Sequence, residues 1–404
     1  MTNSRHPWAG SGEETGPPAR LVSGKPADPA LDDQGVPTSL PVSEWLGLAE
    51  SGILPDSVPL SRWLLAVLRF SRPDGSPVFG PAGRSPGRLK ELAAWAGRTG
   101  DPSLAAVLGR WTPSGSTPGQ VTSSPPLPSV ARPDRPLAVL RPDWSPRGDL
   151  AAIDHRRTGD TSLVEIASRG RTWIGPNWTS APPVGRIGRA VPTSWTSNAY
   201  VDSAEWSYRA GRARVTRSVT LVRGRDVVLI GQQTDGGSPH HEMRLSIPDG
   251  VEPSTVEGSR AILLSAGKGK PAARLIPLGL PAHDRPTDRG SIAIEGREVV
   301  IRQVDDGRRR WLPALLCWGK APTTWRLATV AHRSKASRPD EAVAARVAWG
   351  ASDDGLVVYR SLGPAALRSF LGHQTGARFL VGSFDRAGEV RPILKLDPEV
   401  IADR

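Results

Sequence analysis

Two hydrophobic rhythms divide the chain. Between residues 41 and 111, apolar positions recur at helical spacing. "PVSEWLGLAESG" places Val42, Trp45, Leu46 and Leu48 near one face, with Gly52 as a stop. "PLSRWLLAVLRFSRP" supplies Leu64, Leu65, Leu68 and Phe70 and ends at Pro73. "SPGRLKELAAWAGRTG" opens with Pro86 in its first turn and carries Leu89, Leu92, Ala93 and Trp95. "DPSLAAVLGRW" follows, with Asp101 placed to cap it. Four short helices are expected. From about Leu137 the period switches from 3.6 to 2. "SLVEIAS" and "NAYVDSAEWSYRAG" alternate, and "RARVTRSVTLVRGRDVVLIGQQTDGG" predicts two strands joined at Gly224, Arg225 and Asp226. At least fourteen such runs follow one another between Gly, Asp-Gly and Pro signals. Strand after strand without intervening helix means antiparallel pairing.

The expected fold is therefore mainly β: a large antiparallel β-sandwich of two sheets, preceded by a few short helices. By composition, residues 1–40 form a disordered N-terminal segment and 41–111 a small helical segment. Residues 112–136 form a Pro/Ser/Gly-rich linker, and 137–404 the sandwich. "GPAALRSFLGHQ", spanning 363–374, is the one helix-like insert after the linker. No fixed-period repeat marks a propeller.

Composition narrows the function classes. The 404 residues carry 43 Gly, 40 Pro and a formal net charge of +12, with arginine far outnumbering lysine. Basic charge favours anionic partners without choosing among them. No basic helix or arm stands out, so dedicated nucleic-acid binding is not expected. The N-terminus lacks an apolar signal region and no apolar run reaches membrane-span length, so the expected setting is cytoplasmic, without membrane insertion. The single Cys317 allows no internal disulfide and no cysteine zinc set. Nucleotide loops, nucleophile elbows and His-Glu-x-x-His helices are missing, and no cofactor is expected.

Two stretches carry a family resemblance. "HRRTGDTSLVEIASRGRTWIGP" places Asp160, Ser162, Leu163, Ile166, Gly170, Ile174 and Pro176 as a known strand pair does. "YVDSAEWSYRAGRARVTRSVTLVRGRDVVLIGQQT" adds a basic-flanked strand before a β-branched one. Together they resemble the C-terminal β-sheet domain of heparinase II/III-type polysaccharide lyases, over about Asp143 to Asp235. The resemblance implies a metal-binding region built from paired histidines and an aspartate. Here Arg156 and Thr158 stand at the histidine places, and His155 is out of register by one. Arginine cannot ligate a cation, so no metal site is expected. The helical toroid that carries most of the family's catalytic groups has no room in residues 41–111.

Lyase chemistry on a uronic acid requires a group that neutralises the carboxylate, a base for the neighbouring C–H, and an acid for the leaving oxygen. Asn198 and Tyr200, two residues apart on one expected strand face, form with His155 the minimal candidate set. The competing reading makes Asn198 a turn residue and Tyr200 a half-buried strand aromatic. "PHHEMRL" adds His240 and His241, which a strand would point to opposite faces. Tryptophan is over-represented, 14 against 5 Phe and 3 Tyr. Trp178 and Trp195, in polar surroundings, are the expected exposed pair for stacking on sugar rings. The alternative for each is core packing. Arg156, Arg157, Arg212, Arg214, Arg308 and Arg309 are the candidate contacts to an acidic glycan. Arg212 and Arg214 are the expected groove pair, and "DDGRRR" an expected exposed hairpin turn. Against this stands the role of such charges as guards of sheet edges. The overall expectation is a degenerate, non-catalytic relative that binds acidic polysaccharide. An active lyase and a scaffold without glycan role are the alternatives.

Overall fold

The computed structural model describes residues 59–398 apart from 81–85, 113–123, 132–135, 156–159, 181–185, 237–239, 268–271, 286, 288, 305–307, 323 and 351–354. The segment 1–40 and the helix expected at 41–52 lie outside the described residues, as do Arg156, Arg157 and Thr158. Among the described residues three helices come first: α1 (Leu60–Arg69), α2 (Pro86–Thr99) and α3 (Pro102–Trp111). Asp101 caps α3 by accepting the Ser103 N–H at 2.9 Å. Trp63 of α1 meets Trp95 of α2 edge to face, 5.0 Å between ring centroids.

Four antiparallel sheets follow among the described residues, of nine, eight, five and four strands. The first sheet includes Leu137–Leu140, Leu150–Asp154, Ser162–Ser168, Asn177–Ser180, His240–Ser246 and Glu298–Val304. The second includes Val191–Ser197, Val201–Ala210, Ala213–Val222, Val227–Asp235 and Arg309–Cys317. The third is built on Ala342–Ala348, Gly355–Ser361 and Phe379–Phe384; the fourth is small and includes Arg368–Phe370 and His373–Thr375.

Alternation along each strand assigns its two faces to different cores. Leu150 and Ala152 join the helices in one core, whereas Ala151 and Ile153 join the second sheet in another. In the second sheet, Val228 and Ile230 face the first sheet, and Val227 and Leu229 face the third. In the third sheet, Leu356 and Val358 face the second, and Val357 and Tyr359 face the fourth. The layers therefore stack as helices, then first, second, third and fourth sheets.

The main-chain architecture is mainly β, with antiparallel sheets and short leading helices, but the two-sheet expectation is corrected to four. The polar row Thr216, Ser218 and Thr220 carries no local sign of the sheet that covers it. Here it is buried, with its hydroxyls satisfied inside the stack: Ser207 Oγ to Thr216 Oγ1 at 2.8 Å and Ser203 Oγ to Thr220 Oγ1 at 2.7 Å. The helix-like insert expected at 363–374 is also corrected. Phe370 and His373 pair across a two-residue turn in which Leu371 and Gly372 both have positive φ, the geometry of a tight hairpin. Val130–Ala131, inside the expected linker, already pairs with Leu137–Leu140 in the first sheet. The helical segment packs on that sheet through a shared core and is a layer of the stack.

Candidate functional site

The strands of the resemblance meet at one end of the interface between the first and second sheets. The Leu150–Asp154 strand leaves at His155, and Ser162–Ser168 returns from Asp160. The Asn177–Ser180 strand ends beside them, since Ser162 pairs with Trp178. Across the interface stand Tyr208, Arg217 and Gln232. Arg217 shares a strand face with Val215, Val219 and Leu221. It thus interrupts an otherwise apolar row, and its side chain is only 1% exposed.

Each of the three guanidinium nitrogens meets an acceptor. Nη1 donates to Ser162 Oγ at 2.7 Å, and Nη2 to Ser180 Oγ at 2.9 Å and Asp160 Oδ1 at 3.2 Å. Nε is directed at Gln232 Oε1, 3.4 Å away. The Trp178 ring lies 5.0 Å from the guanidinium carbon and the Tyr208 ring 5.5 Å. Gln232 fixes the rest of the set. Its Oε1 accepts from Trp178 Nε1 and Ser180 Oγ, both at 3.1 Å, and its Nε2 donates to the Glu242 carbonyl. Tyr208 donates its hydroxyl to Asp160, and His155 Nδ1 contacts Ser162 Oγ. Burial first, and the Arg217 charge second, push the His155 pKa down to about 3. Burial also raises the Tyr208 hydroxyl.

These residues do not fit a divalent cation. A fixed positive charge already stands against Asp160, and His155 is turned to a serine. Among the described residues no group of three His, Cys, Asp or Glu side chains is placed to hold a metal.

The structure separates the three residues expected to act together. Asn198 and Tyr200 sit in the turn that opens the Val201–Ala210 strand. The Asn198 carboxamide oxygen accepts the N–H groups of Tyr200 and Val201, so Asn198 is a turn residue. Tyr200 is exposed. His155 lies against Tyr208, at the other end of that strand and about 26 Å from Tyr200 at ordinary strand rise. The tyrosine brought to the histidine is thus Tyr208, not Tyr200. Trp178 is fully buried, which corrects its expected exposure; its indole N–H is paired and its polar neighbours are core groups. Trp195 is the exposed member, at 39%, on the edge strand Val191–Ser197. Arg212 and Arg214 are exposed, Arg212 in the turn before the Ala213–Val222 strand. Trp195 pairs with Ala204 and shares its inward face, whereas Arg214 stands on the opposite face, so they do not line one groove. His241 is buried beside Thr234, and burial lowers it to about 4.

A second polar assembly lies between the second and third sheets. Glu205, 1% exposed, is held by Arg360 and Arg378, and accepts the Thr193 hydroxyl at 2.9 Å. Burial alone would raise this carboxyl, but the two guanidiniums outweigh it and bring the pKa down to about 2. Arg360 Nε also donates to Gln233 Oε1 at 2.6 Å. An open cleft of about 200 Å³ adjoins them, lined also by Arg214, Thr216, Asp235, Leu362 and Ala365. Asp235 pairs with Arg309 at 3.3 Å and stands opposite both Arg309 and Arg214 in the sheet. Arg308 and Arg309 therefore lead into a strand of the second sheet, whereas the preceding Glu298–Val304 strand belongs to the first. The connection crosses between sheets, which corrects the expected hairpin.

Arg217, Gln232 and Arg360 escaped the sequence reading. The available signal was a polar side chain at a period-two position of an apolar row: Arg217 among Val215, Val219 and Leu221, and Arg360 after Leu356 and Val358. Neither a scan against protein-family models nor a search of curated proteins returns a match to this chain.

Proposed function

We propose that the chain is a non-catalytic β-sandwich protein of the heparinase II/III-like kind that binds acidic polysaccharide. One observation carries the reading. Asp160 and Ser162, which anchor the resemblance, are consumed in a closed set of hydrogen bonds with Arg217, and the adjoining His155 and Tyr208 are 4% and 3% exposed. An imidazole, a phenol and a guanidinium in contact could in principle serve as base, acid and carboxylate clamp. Buried to this degree, they have no room for a sugar between them. Exposed arginines such as Arg212, Arg214 and Arg326, on a chain of net charge +12, support attraction of polyanions.

The test has two arms. The purified protein is assayed by absorbance for unsaturated uronate products on heparin, alginate, chondroitin and hyaluronan. It is also run on immobilised heparin across a salt series. Expected are no product and retention that falls steeply with salt, because exposed charges are screened within about 10 Å at roughly 0.1 M. Product formation abolished by Tyr200→Phe or Tyr208→Phe would establish a lyase instead. Absence of retention on any acidic polymer, with a stable protein partner in pull-downs, would favour the scaffold alternative.

A further inference from the structure

The cleft between the second and third sheets has the makings of a specific anion site, and its charge arrangement shows which residue would take the anion. The buried Glu205 is already shared by Arg360 and Arg378, which satisfies the sheet-to-sheet contact from within. Arg214 stands outside that arrangement. Its Nε donates to Ser207 Oγ at 2.7 Å, a neutral acceptor. Among the described residues, no carboxylate lies within ion-pair distance of Arg214; its cross-strand neighbour Asp235 is paired with Arg309.

Two ordinary explanations for an exposed strand arginine do not serve here. The Ala213–Val222 strand is paired on both sides, so Arg214 does not guard a sheet edge. Nor is it needed to neutralise Glu205, which has two partners. Its Nε is anchored to Ser207, so the planar head is oriented at the cleft wall before any ligand arrives. A guanidinium so placed presents paired N–H groups suited to two oxygens of one anion. The lining also includes the exposed Ala365, an apolar contact for the C–H face of a ring, and Thr216.

Resting on the polysaccharide-binding reading, we propose that this cleft binds one oxyanion-bearing sugar unit, a uronate carboxylate or a sulfate ester, with Arg214 as its principal ligand. The ring lies toward the exposed Ala365, and the buried Glu205–Arg360–Arg378 set adjoins the cleft.

The probes are polygalacturonate, which carries only carboxylates, and dextran sulfate, which carries only sulfate esters. Neutral dextran is the blank. Affinity is measured for the intact protein, for Arg214→Ala, and for Arg326→Ala, which removes an exposed arginine on a strand of the third sheet. Loss of a charge-assisted pair predicts about a tenfold weakening in Arg214→Ala for whichever polymer binds, and less than about twofold in Arg326→Ala. The polymer preferred by the intact protein identifies the anion. Equal small losses in the two variants would mean diffuse surface charge and would overturn the cleft while leaving polysaccharide binding in place. If the intact protein binds neither polymer, titration with D-glucuronate and with inorganic sulfate decides separately. Saturable binding lost in Arg214→Ala upholds the cleft as a small-anion site, and no binding overturns it too. Thermal melts of each variant verify that the fold is intact.

Discussion

The His155 imidazole lies against the Tyr208 ring, with centroids 4.5 Å apart and planes tilted by 34°. The contact joins the first sheet to the second and takes the imidazole out of water. That gives a pH dependence with a definite sign. The folded histidine titrates at about 3, against 6.5 for a free one. Between those values the unfolded chain binds more protons. The stability contributed by neutral His155 is therefore complete above about pH 6.5 and drains away as pH falls toward 3. His241, lowered to about 4, acts in the same direction. Asp149 acts oppositely: burial, and then Asp226, raise it to about 7, so its contribution weakens as pH rises through 3.8 toward that value. A His155→Gln variant isolates the first effect. The advantage of the native protein over the variant, read from urea midpoints, should be nearly level above about pH 6.5 and shrink as pH falls from there to 4.5. A constant difference across that range would show that His155 is not held neutral by the fold.

Arg217 should be among the most sensitive side chains in the chain. Arg217→Met removes the cation but leaves Asp160 beside a desolvated interface, and breaking one partner of a buried pair costs about 3–5 kcal/mol. Adding Asp160→Asn to that variant removes the stranded charge and should recover part of the loss. Urea denaturation of the two variants and of the native protein measures both steps. A single-variant loss below about 1 kcal/mol would contradict the burial and bonding described for this guanidinium.

The two tryptophans paired by the sequence reading should part company on mutation. Trp178→Ala empties a fully buried site and removes one of the donors to the Gln232 oxygen, so a loss of about 3–5 kcal/mol is expected. Trp195→Ala, on the partly exposed edge strand, should cost less than about 1 kcal/mol. Similar losses at both positions in denaturant titrations would mean that their environments have been assigned wrongly.

The alternation from Leu137 onward was enough to establish antiparallel β structure, and the caps and periodicity of residues 60–111 were enough for three helices. Both are local properties: side-chain direction repeats every two residues in a strand and every 3.6 in a helix, whatever the strand or helix packs against. The hairpin at Gly224–Asp226 was equally legible, because Gly224 and Asp226 take positive φ, which few residue types tolerate. Which face meets which partner was not legible. The hydroxyl row Thr216, Ser218, Thr220 carries no local sign of its cover, and only a third sheet lying over it turns it into an interior. Nor could sequence separation show that Asp160 would meet Tyr208, 48 residues on, and Arg217, 57 residues on, while Asn198 and Tyr200 stayed at the far end of the strand. Pattern specifies the direction of a side chain from its own backbone. Its neighbours across an interface depend on strand order and register, and those are set by the packing of the whole stack.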